Sequence, residues 1–554
     1  MLSRDEKIMT NGIVVVFVLL CIANVLFLPP YEGFDETAHY SYISVLSDRH
    51  EIPNFSRTPL DATMEDSLEG LPHPYNSKPP FKASGGISYK DFFRDDRAGE
   101  REEAAKRFWQ EPQKTTVYTP GQKLNWQGQH PPLYYFLMGF PYRLARSWPP
   151  GMRLLLLRLC SVALACGSLL FWYKTITLFQ SSDSRRLLLL GGLAAIFFPS
   201  LFYDFARLGN DSLVTLLFAG SFYFLLATYV HRQERLGDFV GLGCTLGLGL
   251  LTKLFFLPLL VGAVLCSLWL GFRYTKIGLW PLFLRVSLLV GISLLLAGGW
   301  FGLFHFRYGV LVGSTGRAMR QPILSPWRHE LSVGQFLLQM LRAAGGFFTT
   351  FFWCGTWSWV RPPLYLYVCI VPLVALTVCS LFSFFVHEPA QAERRQIVIS
   401  ALLFLVPLLL GFVYHMYLMV RSTGWGFGTP GHYLFVTWPV IGMMFALPFE
   451  KMRTGLLKEA TLIAFALLSV FEAAGWWRSA LVYSGVVEKV GNLQTGIGFL
   501  SPTIDALTLV LDRLRTLAFP HGAVILYGMA FLLRSALATW VIFSLPPLPS
   551  PSAR

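Results

Sequence analysis

Charge is what this chain has least of. Only 14% of its 554 residues are Asp, Glu, Lys or Arg, and 54% are apolar, whereas a soluble domain carries roughly 25% charged residues. That shortage excludes an ordinary soluble domain. Acids are scarcer than bases, 32 against 46, which leaves a net charge of +14. In a soluble protein such an excess would suggest nucleic acid. Here many of the bases fall in short loops between apolar runs, so they read as topology signals and no nucleic-acid partner is expected. The eight cysteines offer no framework either. Cys21, Cys160, Cys166, Cys244, Cys266, Cys369 and Cys379 fall inside apolar runs and Cys354 lies near one, with no CxxC or Cys/His metal spacing.

What the chain does have is long apolar runs. The first, Gly12 to Pro29, lacks a small-residue cleavage site and ends in Pro29-Pro30, so it reads as a retained span. Arg4 and Lys7 precede it, which predicts a cytoplasmic amino terminus and puts the following segment on the other side. Further spans are expected near 152–178, 187–203, 211–230, 238–252, 254–272, 279–304, 363–386, 397–419, 433–449, 459–477 and 521–544. With those, Arg185, Arg186, Arg232, Arg235, Arg273, Lys276, Arg394, Arg395, Lys451, Arg453 and Lys458 all fall on the amino-terminal side.

The expected fold is therefore an all-α polytopic membrane protein of about twelve transmembrane helices, within a range of eleven to fourteen, with both termini cytoplasmic. It divides into a first span (1–30), an extracytoplasmic loop carrying juxtamembrane helices (31–150), a transmembrane core (151–304), an extracytoplasmic or re-entrant segment (305–362) and a carboxy-terminal bundle (363–554). Two pieces of the loop read as helical: a mixed-charge stretch from Asp95 to Trp109, and a short interfacial run opening at His130-Pro131-Pro132-Leu133-Tyr134-Tyr135. Segment 335–353 is apolar enough to span but holds Arg342 and Gly345-Gly346, and is expected to be re-entrant or interfacial.

Polar residues in such a chain need a reason, and four groups stand out. Glu32, Asp35, Glu36 and His39 follow the first span directly. If Asp35 opens a helical turn, His39 shares its face and Glu36 points elsewhere. Asp35 could equally be a helix N-cap. Asp211, in Tyr203-Asp204-Phe205-Ala206-Arg207-Leu208-Gly209-Asn210-Asp211, opens a span on that same side, where capping by Asn210 or Asp211 is again the plainer account. Lys253 interrupts the apolar stretch 238–272. The arm before it is about 14 residues, or roughly 21 Å of helix, shorter than the roughly 30 Å hydrocarbon core. A lysine recessed there costs about 2.5–3.5 kcal/mol unless paired or hydrated, so it calls for an anionic partner such as a lipid phosphate, or else snorkels to the headgroups. Last, Arg421 begins a glycine-rich turn that runs to Gly431-His432-Tyr433. Its glycines permit close backbone approach and Arg421 offers a phosphate-matching fork; a flexible turn within an aromatic belt is the duller alternative.

Asp-Glu after the first span, His-Pro-Pro-Leu-Tyr-Tyr before the second, Asn-Asp before the fourth and Leu-Thr-Lys between the fifth and sixth occur in one order. Together they resemble the GT-C superfamily of membrane glycosyltransferases, which includes protein O-mannosyltransferases and the aminoarabinose transferases of lipid A. The match covers residues 12 to about 272, and beyond that only the late turn. The resemblance implies inverting transfer from a polyprenyl-phosphate-linked sugar to an acceptor glycan, lipid or protein, on the outer face of the bacterial inner membrane. It would make Asp35 the catalytic base, with Glu36 and Asp211 as further acidic catalytic candidates. It would set Lys253 by the donor phosphate, and leaves His39, His130, Arg421, His432 and Tyr433 as candidate substrate-binding residues. Asp35, Glu36 and His39 are the candidate ligands should a divalent cation, magnesium or manganese, take part.

Two departures qualify it. Many relatives have Arg where this chain has His432, which shifts weight to Arg421, and the short Pro546–Arg554 tail stands where oligosaccharyltransferase subunits carry a large domain, so a peptide-sequon acceptor is not expected. The rivals are a transporter or flippase for a lipid-linked or anionic substrate, which would show internal repeats not found here, and a non-catalytic scaffold.

Overall fold

Ser3 and Glu6 form a reciprocal capping box that starts the first helix, Arg4–Phe27. Pro29-Pro30 end it, because a residue before proline is driven out of the helical region. Its 24 residues make about 36 Å of helix, enough to cross a bilayer. The computed structural model describes residues 2–72, 87–93, 95–113, 117–274, 278–309, 331–389, 392–426, 428–450, 455–487 and 504–544. Lys276, Lys451, Arg453, Phe427 in the glycine-rich turn and the tail 546–554 lie outside the described residues.

Among the described residues, ten helices are long and apolar enough to cross a membrane: Arg4–Phe27, Pro150–Leu178, Asp211–Val230, Phe256–Arg273, Leu279–Tyr308, Leu364–His387, Glu393–Thr423, Gly431–Phe449, Lys458–Tyr483 and Pro520–Phe543. The two other expected spans are present as shorter helices. One, Ser182–Ala195, stops ahead of Pro199 and is followed by a single turn, Leu201–Phe205. The other, Leu236–Leu250, has 15 residues, or about 22 Å, and breaks at Leu251-Thr252-Lys253 before the chain turns back. Segment 335–353 is one uninterrupted helix, Val333–Phe352, that runs straight through Gly345-Gly346. Its Val333, Leu337, Leu338 and Leu341 are exposed, and its continuity leaves no hairpin within it.

The first helix packs along the last, Pro150–Leu178 along Asp211–Val230, and Ser182–Ala195 along Trp438–Glu450. That last pair meets backbone to backbone. A Cβ on Gly191 would sit 2.9 Å from the Met443 backbone, while Gly442 faces the Gly191 carbonyl, the small-residue packing that lets helices approach where no hydrophobic effect draws them together.

The first loop folds back over the bundle end. Helix Glu36–Arg49 lies against helix Leu133–Leu144, and Pro59–Asp61 pairs antiparallel with Pro120–Leu124. Ala98–Gln110 is helical, as its charge pattern predicts. Helix Leu133–Leu144 buries Tyr134, Tyr135, Met138 and Tyr142 but exposes Phe136, Leu137, Phe140 and Leu144, so it has the two faces of an interfacial helix.

Deep in the bundle, Arg534 of the last helix pairs with Glu472 at 2.6 Å, both fully buried. Breaking a buried pair leaves one charge unmatched and costs about 3–5 kcal/mol. Arg534→Ala is accordingly expected to lower the thermal unfolding temperature of the purified protein sharply, with Glu472→Leu/Arg534→Met recovering most of it. An undiminished unfolding temperature in the single variant would contradict this.

Candidate active site

Asp35 is the residue on which the site turns. It occupies the N-cap position of helix Glu36–Arg49, yet its side chain makes no capping hydrogen bond and its backbone is left-handed, with φ 61°. For a non-glycine residue that conformation is strained, and such strain collects at functional positions. The carboxyl is turned instead toward Trp126, whose indole N–H donates to Oδ1 at 2.7 Å. Asn125 sets that indole: its side chain accepts from Gln127 N–H to start the turn Trp126–Gln129 and donates to the Ala38 carbonyl. Burial pushes the Asp35 carboxyl up from its ordinary range, while the Trp126 hydrogen bond and the nearby Arg207 and Lys253 pull it back.

Glu36, one residue on, has the opposite fate. Arg158 clasps both its oxygens, Nε to Oε1 at 2.8 Å and Nη2 to Oε2 at 2.6 Å, and the backbone N–H groups of Gly33 and Leu208 donate to it as well. Arg158 also donates to the Leu28 and Pro29 carbonyls. Glu36 thus ties the end of the first span to Pro150–Leu178 and faces away from the Asp35 carboxyl, as its place on the helix predicts. Gly33 makes the approach feasible, since a Cβ there would lie 2.5 Å from Arg207 Cβ and 2.7 Å from Glu36 Cδ.

The Asp211 turn closes on this loop through Arg207. Its guanidinium donates to Asp204 Oδ1 at 2.9 Å, to Asp211 Oδ2 at 2.6 Å and to the Phe34 carbonyl at 3.0 Å. Neither Asn210 nor Asp211 caps the helix that begins there, so the capping account fails at this turn too. Asn210 donates instead to the Thr252 carbonyl, and Lys253 Nζ meets Asp211 Oδ1 at 2.5 Å. The Lys253 ammonium also lies over the rings of Phe255, at 4.4 Å, and Tyr433, at 4.7 Å. The Leu133 N–H donates to the Leu251 carbonyl, which docks the His-Pro-Pro-Leu motif on the same hairpin.

Three histidines line the cluster. His39 is hydrogen-bonded to the Tyr135 hydroxyl at 3.0 Å, and burial with Arg207 nearby holds it neutral, well below its ordinary value. Burial and Lys253 bring His130 down to about 3. His432 stacks flat on Phe34 at 5.5 Å, bonds Cys354 Sγ through Nδ1 at 2.8 Å and lies 3.9 Å from Asp204. Burial pushes Asp204 up to about 6 against the pull of Arg207.

Asp35, His39, His130, Asp211, Lys253, His432 and Tyr433 are therefore brought together, and Glu36 sits beside them facing its own partner. Arg421 is placed differently, with its guanidinium 5.9 Å from the Phe336 ring on the helix Val333–Phe352. Its expected place in the cluster is held by Arg207. Sequence reasoning passed over Arg207, Asp204, Arg158 and Trp126. Arg207 carried a usable signal, since it stands three residues after Asp204 and four before Asp211, the spacings at which helical side chains meet.

Asp35, Glu36 and His39 do not form a cation site. The Glu36 oxygens are already taken, and among the described residues no group of three or more His, Cys, Asp or Glu side chains could hold a metal ion.

Fold and site together define a polytopic helical membrane protein with a cluster of ionisable groups recessed at one end of its bundle. No family model and no curated protein matches the sequence. Among solved structures the chain is similar to ArnT from Cupriavidus metallidurans bound to undecaprenyl phosphate, at 14% identity over 98% of this chain and 78% of that one, with a TM-score of 0.46. It is also similar to an Archaeoglobus fulgidus oligosaccharyltransferase tethered to an acceptor peptide, at 10% identity over 96% of this chain and 55% of that one, with a TM-score of 0.36.

The Trp126 hydrogen bond favours the ionised Asp35 carboxyl, so removing it should raise the pKa. An infrared titration band absent from Asp35→Asn is expected to shift upward in Trp126→Phe by about one pH unit, the value of one hydrogen bond to a charged group. An unmoved midpoint would show that the indole does not hold this carboxyl.

Proposed function

We propose that this protein is a GT-C-type glycosyltransferase that moves a sugar from a polyprenyl-phosphate donor to an acceptor hydroxyl at the outer surface of a membrane. What carries this reading is the Asp35 side chain, withheld from the helix it begins and held by the Trp126 indole within the electrostatic reach of Arg207 and Lys253. The ordered motifs that resemble the superfamily supply several of the same residues: Asp35, His130, Asp211 and Lys253.

In the proposed reaction the acceptor hydroxyl gives its proton to Asp35 as its oxygen bonds to the anomeric carbon. The bond from that carbon to the phosphate oxygen breaks, and its electron pair leaves with the polyprenyl phosphate. A single displacement inverts the anomeric centre. Burial favours Asp35 as a base by lifting its proton affinity toward the working pH. Lys253, held between Phe255 and Tyr433, would stabilise the negative charge that grows on the departing phosphate, in a site where low dielectric strengthens that attraction. Asp211 and Arg207 act on the reaction through Lys253 and through the Phe34 carbonyl, as positioning residues. Asp211 pairs with Lys253 when no donor is bound, so the ammonium is never left unmatched in the bundle.

The test is transfer from a panel of radiolabelled polyprenyl-phosphate sugars by the purified protein in lipid nanodiscs. Asp35→Asn is expected to reduce transfer by about a hundredfold or more, the usual worth of a general base, while donor affinity stays near that of the unmodified protein. Lys253→Ala should weaken donor affinity by about tenfold, the loss of one charge-assisted hydrogen bond. Full transfer by the first variant or unchanged donor affinity in the second would remove that residue from its role.

A further inference from the structure

The segment Cys354–Val360 is built inside out. Thr356 and Ser358 are buried while Trp357 and Trp359, the two largest residues in it, are only half-buried. A buried polar group is the observation that needs explaining, and here two of them alternate with half-buried indoles. The inward side is held by Glu32, a fully buried carboxylate that accepts from the Thr356 hydroxyl at 2.5 Å, the Ser358 N–H at 2.9 Å and the Tyr89 hydroxyl at 2.7 Å. Trp357 N–H donates to the Glu32 carbonyl, and Trp359 N–H to the Thr356 carbonyl. Burial raises the Glu32 carboxyl above its ordinary range, so the hydrogen bonds only partly offset its desolvation.

The outward side is strained as well as apolar. Trp359 has φ 51°, a left-handed conformation that a bulky residue rarely adopts. Both indoles stand edge-on to Phe34, at 5.3 and 5.2 Å. Phe34 immediately precedes Asp35, its carbonyl is held by Arg207 and its ring stacks on His432. A buried acid and a strained backbone thus fix two half-buried indoles on the ring of Phe34, the residue before the proposed base. Covering Phe34 alone would require neither.

We propose that Trp357 and Trp359, packed on the Phe34 ring, are a stacking platform for a pyranose ring of the substrate, a proposal that rests on the glycosyltransferase reading. A pyranose presents a face of C–H bonds whose positive edge suits the negative face of an indole, and its rim of hydroxyls can be reached from the same side by a carboxylate. The ring could belong to the donor sugar or to a glycan acceptor, and the chemistry is the same for both.

The experiment has two arms. In the first, the full-length protein is labelled with fluorotryptophan, and the signals of Trp357 and Trp359 are identified by their loss in Trp357→Phe and Trp359→Phe. Single-residue assignment matters because the chain has 16 tryptophans. In an amine-oxide detergent free of sugar headgroups, a panel of methyl pyranosides is titrated in and followed by fluorine NMR. Saturable shifts confined to those two signals, with at least one glycoside, support the platform; no shift with any of them overturns it. In the second arm, steady-state kinetics are measured on Trp359→Asn, which keeps a residue tolerant of left-handed backbone. KM for the partner bearing the ring is expected to rise about tenfold with kcat within about twofold, and Trp359→Phe to recover most of the loss. A rise in the donor KM assigns the ring to the donor, and a rise in the acceptor KM assigns it to the acceptor. Unchanged KM for both overturns the proposal. Saturable glycoside shifts in a protein that transfers no sugar would keep the platform and end the glycosyltransferase reading instead.

Discussion

A guanidinium sealed inside an apolar bundle stays charged, and must find anions or carbonyl oxygens for its donors. Arg207 finds three: Asp204, Asp211 and the carbonyl of Phe34. Those three belong to different parts of the chain. Asp204 closes the short helix Leu201–Phe205, Asp211 begins a span and Phe34 belongs to the first loop. With the Arg158–Glu36 pair, this side chain fixes where the first loop meets the bundle, and with it the position of Asp35. Through Asp211 it also sets Lys253. Removing Arg207 would leave Asp204 and Asp211 buried with one fewer cation and the Phe34 carbonyl without this donor.

The adjacent carboxylates Asp35 and Glu36 show how local backbone decides chemistry. Glu36 is helical, so its side chain lies back against Gly33 and Arg158, where every lone pair is used. Asp35 is left-handed and outside the helix, so its side chain leaves that face for Trp126 and the cations beyond. The strain at Asp35 is sustained by the bonds on either side of it, Arg207 on Phe34 and Arg158 on Glu36. Two acids one bond apart thereby serve as anchor and as proposed base. The opposing charges in the cluster are three carboxyls against two cations. Burial lifts Asp204 to about 6, so near neutrality that carboxyl is mostly ionised and the cluster carries a surplus negative charge that it sheds as the pH falls through that value.

Much of this arrangement was legible in the residues. An ionisable group within an apolar run is costly enough that it needs a partner, which is why Asp35, Asp211 and Lys253 could be expected at one end of the bundle before any coordinates. The brevity of the arm before Lys253 likewise foretold a recessed hairpin, and the helix Leu236–Leu250 is short. What stayed hidden depends on pairing across sequence distance. Nothing near Arg158 points to Glu36, 122 residues away, and Trp126 lies in a polar loop where an indole looks like any interfacial aromatic. Arg207 stands in a polar turn between two expected spans, and Arg421 draws attention through its glycine-rich setting. The helix Val333–Phe352 runs unbroken through Gly345-Gly346: two glycines weaken a helix, but packing of one face against its neighbours carries it through them.

The central proposal is that Lys253 and Asp35 serve one substrate site, the ammonium for the phosphate and the carboxylate for the acceptor. The direct test is an experimental structure of the protein in lipid nanodiscs with a bound polyprenyl phosphate. The account predicts the phosphate within hydrogen-bond distance of Lys253 Nζ, with the ammonium drawn from Asp211 and the Asp35 carboxyl open to the same space. A phosphate seated on another face of the bundle, with the Lys253–Asp211 pair undisturbed, would contradict it.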